Sequence, residues 1–189
     1  MTPPSTQEIA PGLVLHNVPP NLKLSDFKLI AFDMDSTLIN IECVDEIADA
    51  AGLKAQVAAI TEATMQGVIT DFKDSLRQRV ALLRGIPLAH LEQVYTERLR
   101  LNPGAQVLVN AARSAGLKTL LVSGGFTFFA DRVKDTLGID FARSNQLEIK
   151  DGILTGRLVD QCWGDICDGA EKRRTLLEVA SLMGIAPEQ

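Results

Sequence analysis

One stretch limits what this chain can fold into more than any other. Residues 29–38 read Leu-Ile-Ala-Phe-Asp-Met-Asp-Ser-Thr-Leu. The unbroken apolar run of Leu29, Ile30, Ala31 and Phe32 is the pattern of a parallel strand buried on both faces. It stops abruptly at two acids, Asp33 and Asp35, followed by Ser36 and Thr37. A strand that ends in carboxylates delivers charge to the carboxyl edge of a sheet, and in open α/β sheets that edge is where ligands bind. Two positions apart, the acids face the same way as long as the chain stays extended.

Paired carboxylates at such an edge suit phosphoryl transfer. One carboxylate can attack phosphorus and form an acyl phosphate. The second can protonate the leaving oxygen and then take a proton from water. Two acids and a phosphate repel one another. A divalent cation, Mg²⁺ by preference, screens them, because it accepts one or two carboxylates together with phosphate oxygens and waters. The plainer reading makes Asp33 and Asp35 turn or cap residues. The strand before them and the Ser/Thr after them favour chemistry.

The rest of the chain alternates helical patterns with short apolar runs. Prolines at 3, 4, 11, 19 and 20 break any long helix in residues 1–28, where 13–15 suggests a short edge strand. A helix is predicted over 42–51, ended by Gly52. Residues 53–101 carry helical patterns with little strand character, among them 71–83 and 88–101. Asn102, Pro103 and Gly104 punctuate the end of that insertion. A helix over 105–115, stopped by Gly116, leads into a buried strand over 117–122. Ser123, Gly124 and Gly125 follow, then a helix over 126–137. Asp151-Gly152 between 146–150 and 153–159 is a hairpin signal. The last helix starts at Asp168 and Gly169 and ends at Gly184.

Two further places carry chemistry. Ser123, Gly124 and Gly125 sit where a strand opens into a helix, so a hydroxyl and backbone N–H groups can hold phosphate oxygens. An ordinary strand–helix turn also favours Ser and Gly. Lys172, near the start of the last helix, can neutralise a phosphate and a nucleophile. A solvated basic face is the alternative, since Arg173 and Arg174 adjoin it.

These residues, in this order, resemble the motifs of the haloacid dehalogenase superfamily. Asp33-Met34-Asp35-Ser36-Thr37 is similar to its first motif, Ser123-Gly124 to its second and Lys172 to its third. Within the superfamily, residues 28–185 most resemble phosphoserine phosphatases. The fold this implies is a Rossmann-like parallel α/β sheet with a helical cap inserted after the first strand. Residues 1–28 are then a lead-in, 29–52 and 102–189 the α/β core, and 53–101 the cap. A cap over a phosphoryl-transfer site excludes water and selects substrates.

The resemblance implies hydrolysis of O-phospho-L-serine, the last step of serine biosynthesis. Asp33 is the nucleophile and Asp35 the acid and base. Ser123, the Gly124 N–H and Lys172 contact phosphate. Mg²⁺ is held by Asp33 and Asp35, the latter by analogy through its backbone carbonyl. It also implies that Glu42 meets the substrate amino group and Arg79 its carboxylate, with Arg77 the rival and Phe72 packing nearby. A zwitterion needs one fixed charge of each sign, and Arg binds carboxylate bidentately. Helix-surface charges are the usual fate of such residues.

The resemblance has a gap. The superfamily's fourth motif, a strand ending in Gly-Asp-Gly-x-Asn-Asp, does not occur in these 189 residues. Asp165 and Asp168 do not replace it, because neither ends an apolar strand and both precede Lys172. A member truncated at its C-terminus is therefore expected, with one metal carboxylate and one core strand fewer, apolar surface exposed beside the sheet, and low stability or weak turnover. The rival functions are another small phosphomonoester phosphatase or phosphotransferase, and a non-catalytic fragment or binding module.

Bulk properties exclude other classes. The net charge of −5 gives no basic footprint for nucleic acid. No run nears the roughly 18 apolar residues of a membrane span, and residues 1–8 lack the basic and apolar regions of a signal peptide. Cys43, Cys162 and Cys167, at no zinc spacing, read as reduced thiols of a cytoplasmic protein.

Overall fold

The computed structural model describes residues 6–16, 18–19 and 21–186. Pro3, Pro4, Pro20 and residues 187–189 lie outside them. The chain opens on a hairpin of β1 (Thr6–Ala10) and β2 (Leu13–His16), antiparallel around Gly12. This pair forms a sheet of its own. The strand expected over 13–15 therefore exists, but it pairs with β1 and not with an edge of the main sheet.

The main elements follow in order. They are β3 (Leu29–Phe32), α1 (Cys43–Ala50), α2 (Lys54–Met65), α3 (Phe72–Leu82), α4 (Leu88–Gln93) and α5 (Ala105–Ser114). Then come β4 (Lys118–Phe126), α6 (Thr127–Leu137), β5 (Phe141–Lys150), β6 (Ile153–Val159) and α7 (Gly169–Met183). The sheet order is β3-β4-β5-β6, with the first three strands parallel and β6 antiparallel. The predicted hairpin around Asp151 and Gly152 joins β5 to β6, with both turn residues at positive φ.

Three details of the main sheet depart from the sequence reading. First, β3 lies at the edge of the sheet, so Leu29 and Ile30 are half-buried, Ala31 is exposed and only Phe32 is buried. Second, residues 141–145 form a parallel strand that the sequence did not suggest, because Arg143, Ser144 and Asn145 break the apolar run expected of such strands. Third, β4 does not stop at Val122. It runs through Ser123, Gly124 and Gly125 to Phe126 with a register shift: Val122 pairs with Arg143 and Phe126 with Asn145, so three residues of β4 oppose one of β5. The extra residues bulge out of the ladder.

The helical segment between β3 and β4 is tied at its root. Asn40 N–H donates to the Arg100 carbonyl at 3.0 Å. The Asn102 side chain donates to the carbonyls of Thr37 at 2.9 Å and Ile39 at 3.0 Å. The helix expected over 88–101 is shorter: α4 ends at Gln93, one wide turn runs to Arg98, and Leu99 is already extended. The apolar faces of α2, α3 and α4, through Val57, Leu76, Val80 and Leu91, join the same core as Met34, Ile47, Phe126 and Phe129. A smaller cluster of Leu120, Val122, Cys167 and Val179 lies on the α7 side of the sheet. Among the described residues, no helix is long and apolar enough to cross a membrane.

Candidate active site

The end of β3 shapes the first part of the site. Asp33 and Asp35 are both extended, and Ser36 then turns left-handed at φ 53°. That conformation is uncommon for a residue with a Cβ, and such strain clusters at functional sites. It is held by the Ser36 N–H donating to the Ile41 carbonyl at 3.1 Å and by the Ser36 hydroxyl donating to Glu42 Oε1 at 2.6 Å. The turn thus delivers Glu42 to the mouth of the site as well as the two aspartates.

Asp33 is fixed by both oxygens. Oδ1 accepts from the Met34 N–H at 2.8 Å, and Oδ2 pairs with Lys172 Nζ at 2.6 Å. Lys172 stands in the first turn of α7, whose N-terminus is capped by the Asp168 side chain accepting from the Glu171 N–H at 2.8 Å. The rival basic residues go elsewhere. Arg173 is exposed, and Arg174 reaches Glu171 and the Trp163 carbonyl.

Asp35 lies deeper. Its Oδ1 accepts from the Cys43 thiol at 3.1 Å and its Oδ2 lies 3.4 Å from the Cys43 N–H, at the start of α1. Burial pushes its carboxyl up to about 6, helped by the negative charges of Glu42 and Asp33 and opposed by the Cys43 hydrogen bonds. A carboxyl in that range can give a proton and take one back near neutral pH. Burial and the neighbouring Asp35 in turn push the Cys43 thiol well up, so it stays a protonated donor.

The β4 bulge supplies the opposite wall. The Ser123 hydroxyl, buried, accepts from the Gly125 N–H at 2.9 Å. A Cβ on Gly125 would come within 3.0 Å of Asp35 Oδ2 and 2.9 Å of the Met34 methyl, so any larger residue there would have to displace them. Gly124 is less crowded, with the Phe72 ring of α3 at 3.1 Å from such a Cβ and the Cys167 carbonyl at 3.4 Å.

Asp33, Asp35, Glu42, Arg79, Ser123, Gly124 and Lys172 all line one cavity of about 230 Å³. Arg79 enters from α3 beside Leu76 and Phe72. Its Nε is buried without a hydrogen-bond partner, as is Asp45 Oδ1. Burial raises the Asp45 carboxyl while the Arg79 charge opposes that shift. Arg77 points away and pairs with Asp165 at 2.6 Å and Asp74 at 3.3 Å. The geometry thus separates two arginines that the sequence left as rivals.

Sequence reasoning missed two participants. Cys43 follows the predicted Glu42, but nothing local marks its thiol as a partner of Asp35. Asn145 sits in a polar stretch of β5 and is 1% exposed, joined to the site only by long-range contacts. For a divalent cation the donors are sparse. Asp33 offers its carboxylate, the Asp35 carboxylate is engaged by Cys43, and no cluster of three or more His, Cys, Asp or Glu occurs among the described residues. One carboxylate plus a backbone carbonyl fits an ion that takes its other ligands from phosphate and water.

Comparison with known proteins places this geometry in context. A sequence model of the haloacid dehalogenase-like hydrolases matches residues 30–189. A phosphoserine phosphatase of Polaromonas sp. (strain JS666) is 70% identical over 182 residues, covering 96% of this chain and 77% of that protein. A solved phospho-aspartyl intermediate analogue of phosphoserine phosphatase superposes with a TM-score of 0.75 at 38% identity, covering 84% of this chain and 73% of that one. A substrate-bound phosphoserine phosphatase complex gives 0.76 at 37% identity, with the same two coverages. With its strand-end aspartates, bulged Ser-Gly-Gly wall and helix-borne lysine, this chain belongs to the haloacid dehalogenase-like hydrolase family.

Proposed function

We propose that this chain is a phosphoserine phosphatase, hydrolysing O-phospho-L-serine to L-serine and phosphate through a phosphoryl-aspartate. The observation that carries the reading is one small cavity lined by a lysine-paired aspartate, a glutamate, and an arginine whose Nε has no hydrogen-bond partner. The aspartate and lysine suit a phosphate, and the glutamate and arginine a zwitterionic amino acid.

In this reading Asp33 attacks phosphorus in line with the serine oxygen, held in position by its bonds to Met34 and Lys172. Asp35 gives its proton to the departing serine oxygen. It then takes a proton from the water that cleaves the acyl phosphate. Ser123, the Gly124 N–H and Lys172 stabilise charge on the transferring phosphoryl oxygens. Arg79 receives the substrate carboxylate and Glu42 its ammonium group. Helices α2 to α4, within residues 53–101, act as the cap on a core of 29–52 and 102–189, with 1–28 as lead-in. Phe72 closes on Gly124 from the cap side.

Mg²⁺ is the proposed metal, held by the Asp33 carboxylate and the Asp35 carbonyl, and it supplies charge neutralisation at the phosphate. The three cysteines, all free, fit the proposed cytoplasmic setting.

The test is phosphate release from O-phospho-L-serine, with and without Mg²⁺, by this chain and by Asp33→Asn. Release that requires both Asp33 and Mg²⁺ is expected. Release from other phosphomonoesters but not from phosphoserine would leave the family chemistry and overturn the substrate.

A further inference from the structure

We infer that Asn145 is a positioning residue that sets the polarity of the phosphate wall by clamping the Gly124–Gly125 peptide plane. This inference rests on the phosphatase reading above. The β4 bulge takes Ser123, Gly124 and Gly125 out of the ladder, so their backbone groups need other partners. Asn145, on the facing strand, provides one of them. Its Nδ2 donates to the Gly124 carbonyl at 2.7 Å, and its Oδ1 accepts from the Cys167 N–H at 2.7 Å. The partners leave no freedom in the amide orientation, since a carbonyl only accepts and a backbone N–H only donates.

The Gly124 carbonyl and the Gly125 N–H belong to one planar peptide unit. Asn145 grips it at the oxygen, while its N–H donates to Ser123 Oγ at 2.9 Å. A hydroxyl has a single hydrogen. Because Oγ accepts from Gly125, that single hydrogen is left for the cavity, the polarity an anion requires. The chain of dependence therefore runs from Asn145 through the peptide to the Ser123 hydroxyl. The same side chain ties this wall to Cys167, which adjoins the Asp168 cap of the helix bearing Lys172. Asn145 touches no substrate in this arrangement and acts through Ser123.

The test is a double-mutant cycle of Asn145→Asp and Ser123→Ala. Aspartate keeps the volume and the acceptor for Cys167 but loses the donor to Gly124. We expect Asn145→Asp to lower kcat/KM roughly tenfold to a hundredfold, to similar extents on O-phospho-L-serine and on p-nitrophenyl phosphate, because the clamp serves the phosphate alone. In the Ser123→Ala background the same substitution should cost only a few-fold. Binding of inorganic phosphate, read by calorimetry, should weaken in parallel.

Asn145→Ala, which removes both bonds without adding a charge, should show the same dependence on Ser123 and serves if the aspartate variant fails to fold. Equal losses with and without Ser123, no loss in either folded variant, or failure of both variants to fold would overturn the inference. Turnover of p-nitrophenyl phosphate but not phosphoserine would instead overturn the substrate reading, and the clamp would still be read on the generic ester.

Discussion

The polar groups proposed to act on the phosphate already hold protein partners: Asp33 has Met34 and Lys172, Asp35 has Cys43, and Ser123 has Gly125. Of the two groups proposed to meet the amino acid, Glu42 holds Ser36, while Arg79 Nε is buried with no partner. The first arrangement is preorganised, with dipoles and charges fixed before a phosphate arrives, so little reorganisation remains for the transition state. The second is left incomplete by the protein. A buried unpaired polar group costs about 1–3 kcal/mol, and a ligand that supplies the missing partner recovers it. On the proposed reading, the first set serves chemistry on any phosphate and the second selects what the phosphate is attached to.

Four substitutions probe that division. The largest effect belongs to Asp33→Asn, which should lower kcat by about 10⁴-fold or more on every phosphomonoester, as for loss of a covalent nucleophile. A residual rate near that of the parent would remove Asp33 from the chemistry.

Asp35→Asn should cost about 10² to 10⁴-fold in kcat. Its pH signature is specific. With the carboxyl at about 6, formation of the acyl phosphate needs the protonated form and should slow as pH rises above that value. Its hydrolysis needs the ionised form and should slow as pH falls below it. Rapid-quench measurement of the two steps checks both limbs. The same shift bears on stability. The folded carboxyl lies above its ordinary 3.8, chiefly through burial, so the fold disfavours the charged form. That penalty is absent below the ordinary value, grows between the two and is complete above about 6. Asp35→Asn should therefore raise stability at pH 8 by up to about 3 kcal/mol and leave it little changed at pH 4. Denaturant melts at the two pH values test this.

Arg79→Ala should lower kcat/KM for phosphoserine about a hundredfold, the scale for truncating one member of a buried charge pair. It should change p-nitrophenyl phosphate hydrolysis by less than roughly threefold. Equal losses on both substrates would erase the distinction between the two sets. Arg77→Ala, which breaks only half-exposed ion pairs, should alter either rate by no more than about twofold. A larger effect would return Arg77 to the role given to Arg79.

How much of this was legible follows from where each residue's neighbours lie in sequence. Asp33, Asp35 and Ser123 stand at the ends of apolar runs, so a strand-edge argument reaches them. Arg79 and Arg77 sit two apart on one helix. Composition does not separate them, and only packing decides which enters the cavity. The parallel pairing of residues 141–145 was hidden because Arg143 and Asn145 bind other elements across the chain, Arg143 to Glu171 and Asn145 to Gly124 and Cys167. Their polarity made a buried strand read as a loop. Continuation of β4 through two glycines was hidden for a related reason, since glycine ordinarily weakens a strand and here marks a bulge.

The most direct test of the central claim is acid-quenched mass spectrometry of the chain mixed with O-phospho-L-serine and Mg²⁺. A phosphoryl adduct mapped to Asp33 and absent from Asp33→Asn is the expected result. Turnover of phosphoserine with the adduct on another residue, or with none at any quench time, would contradict it.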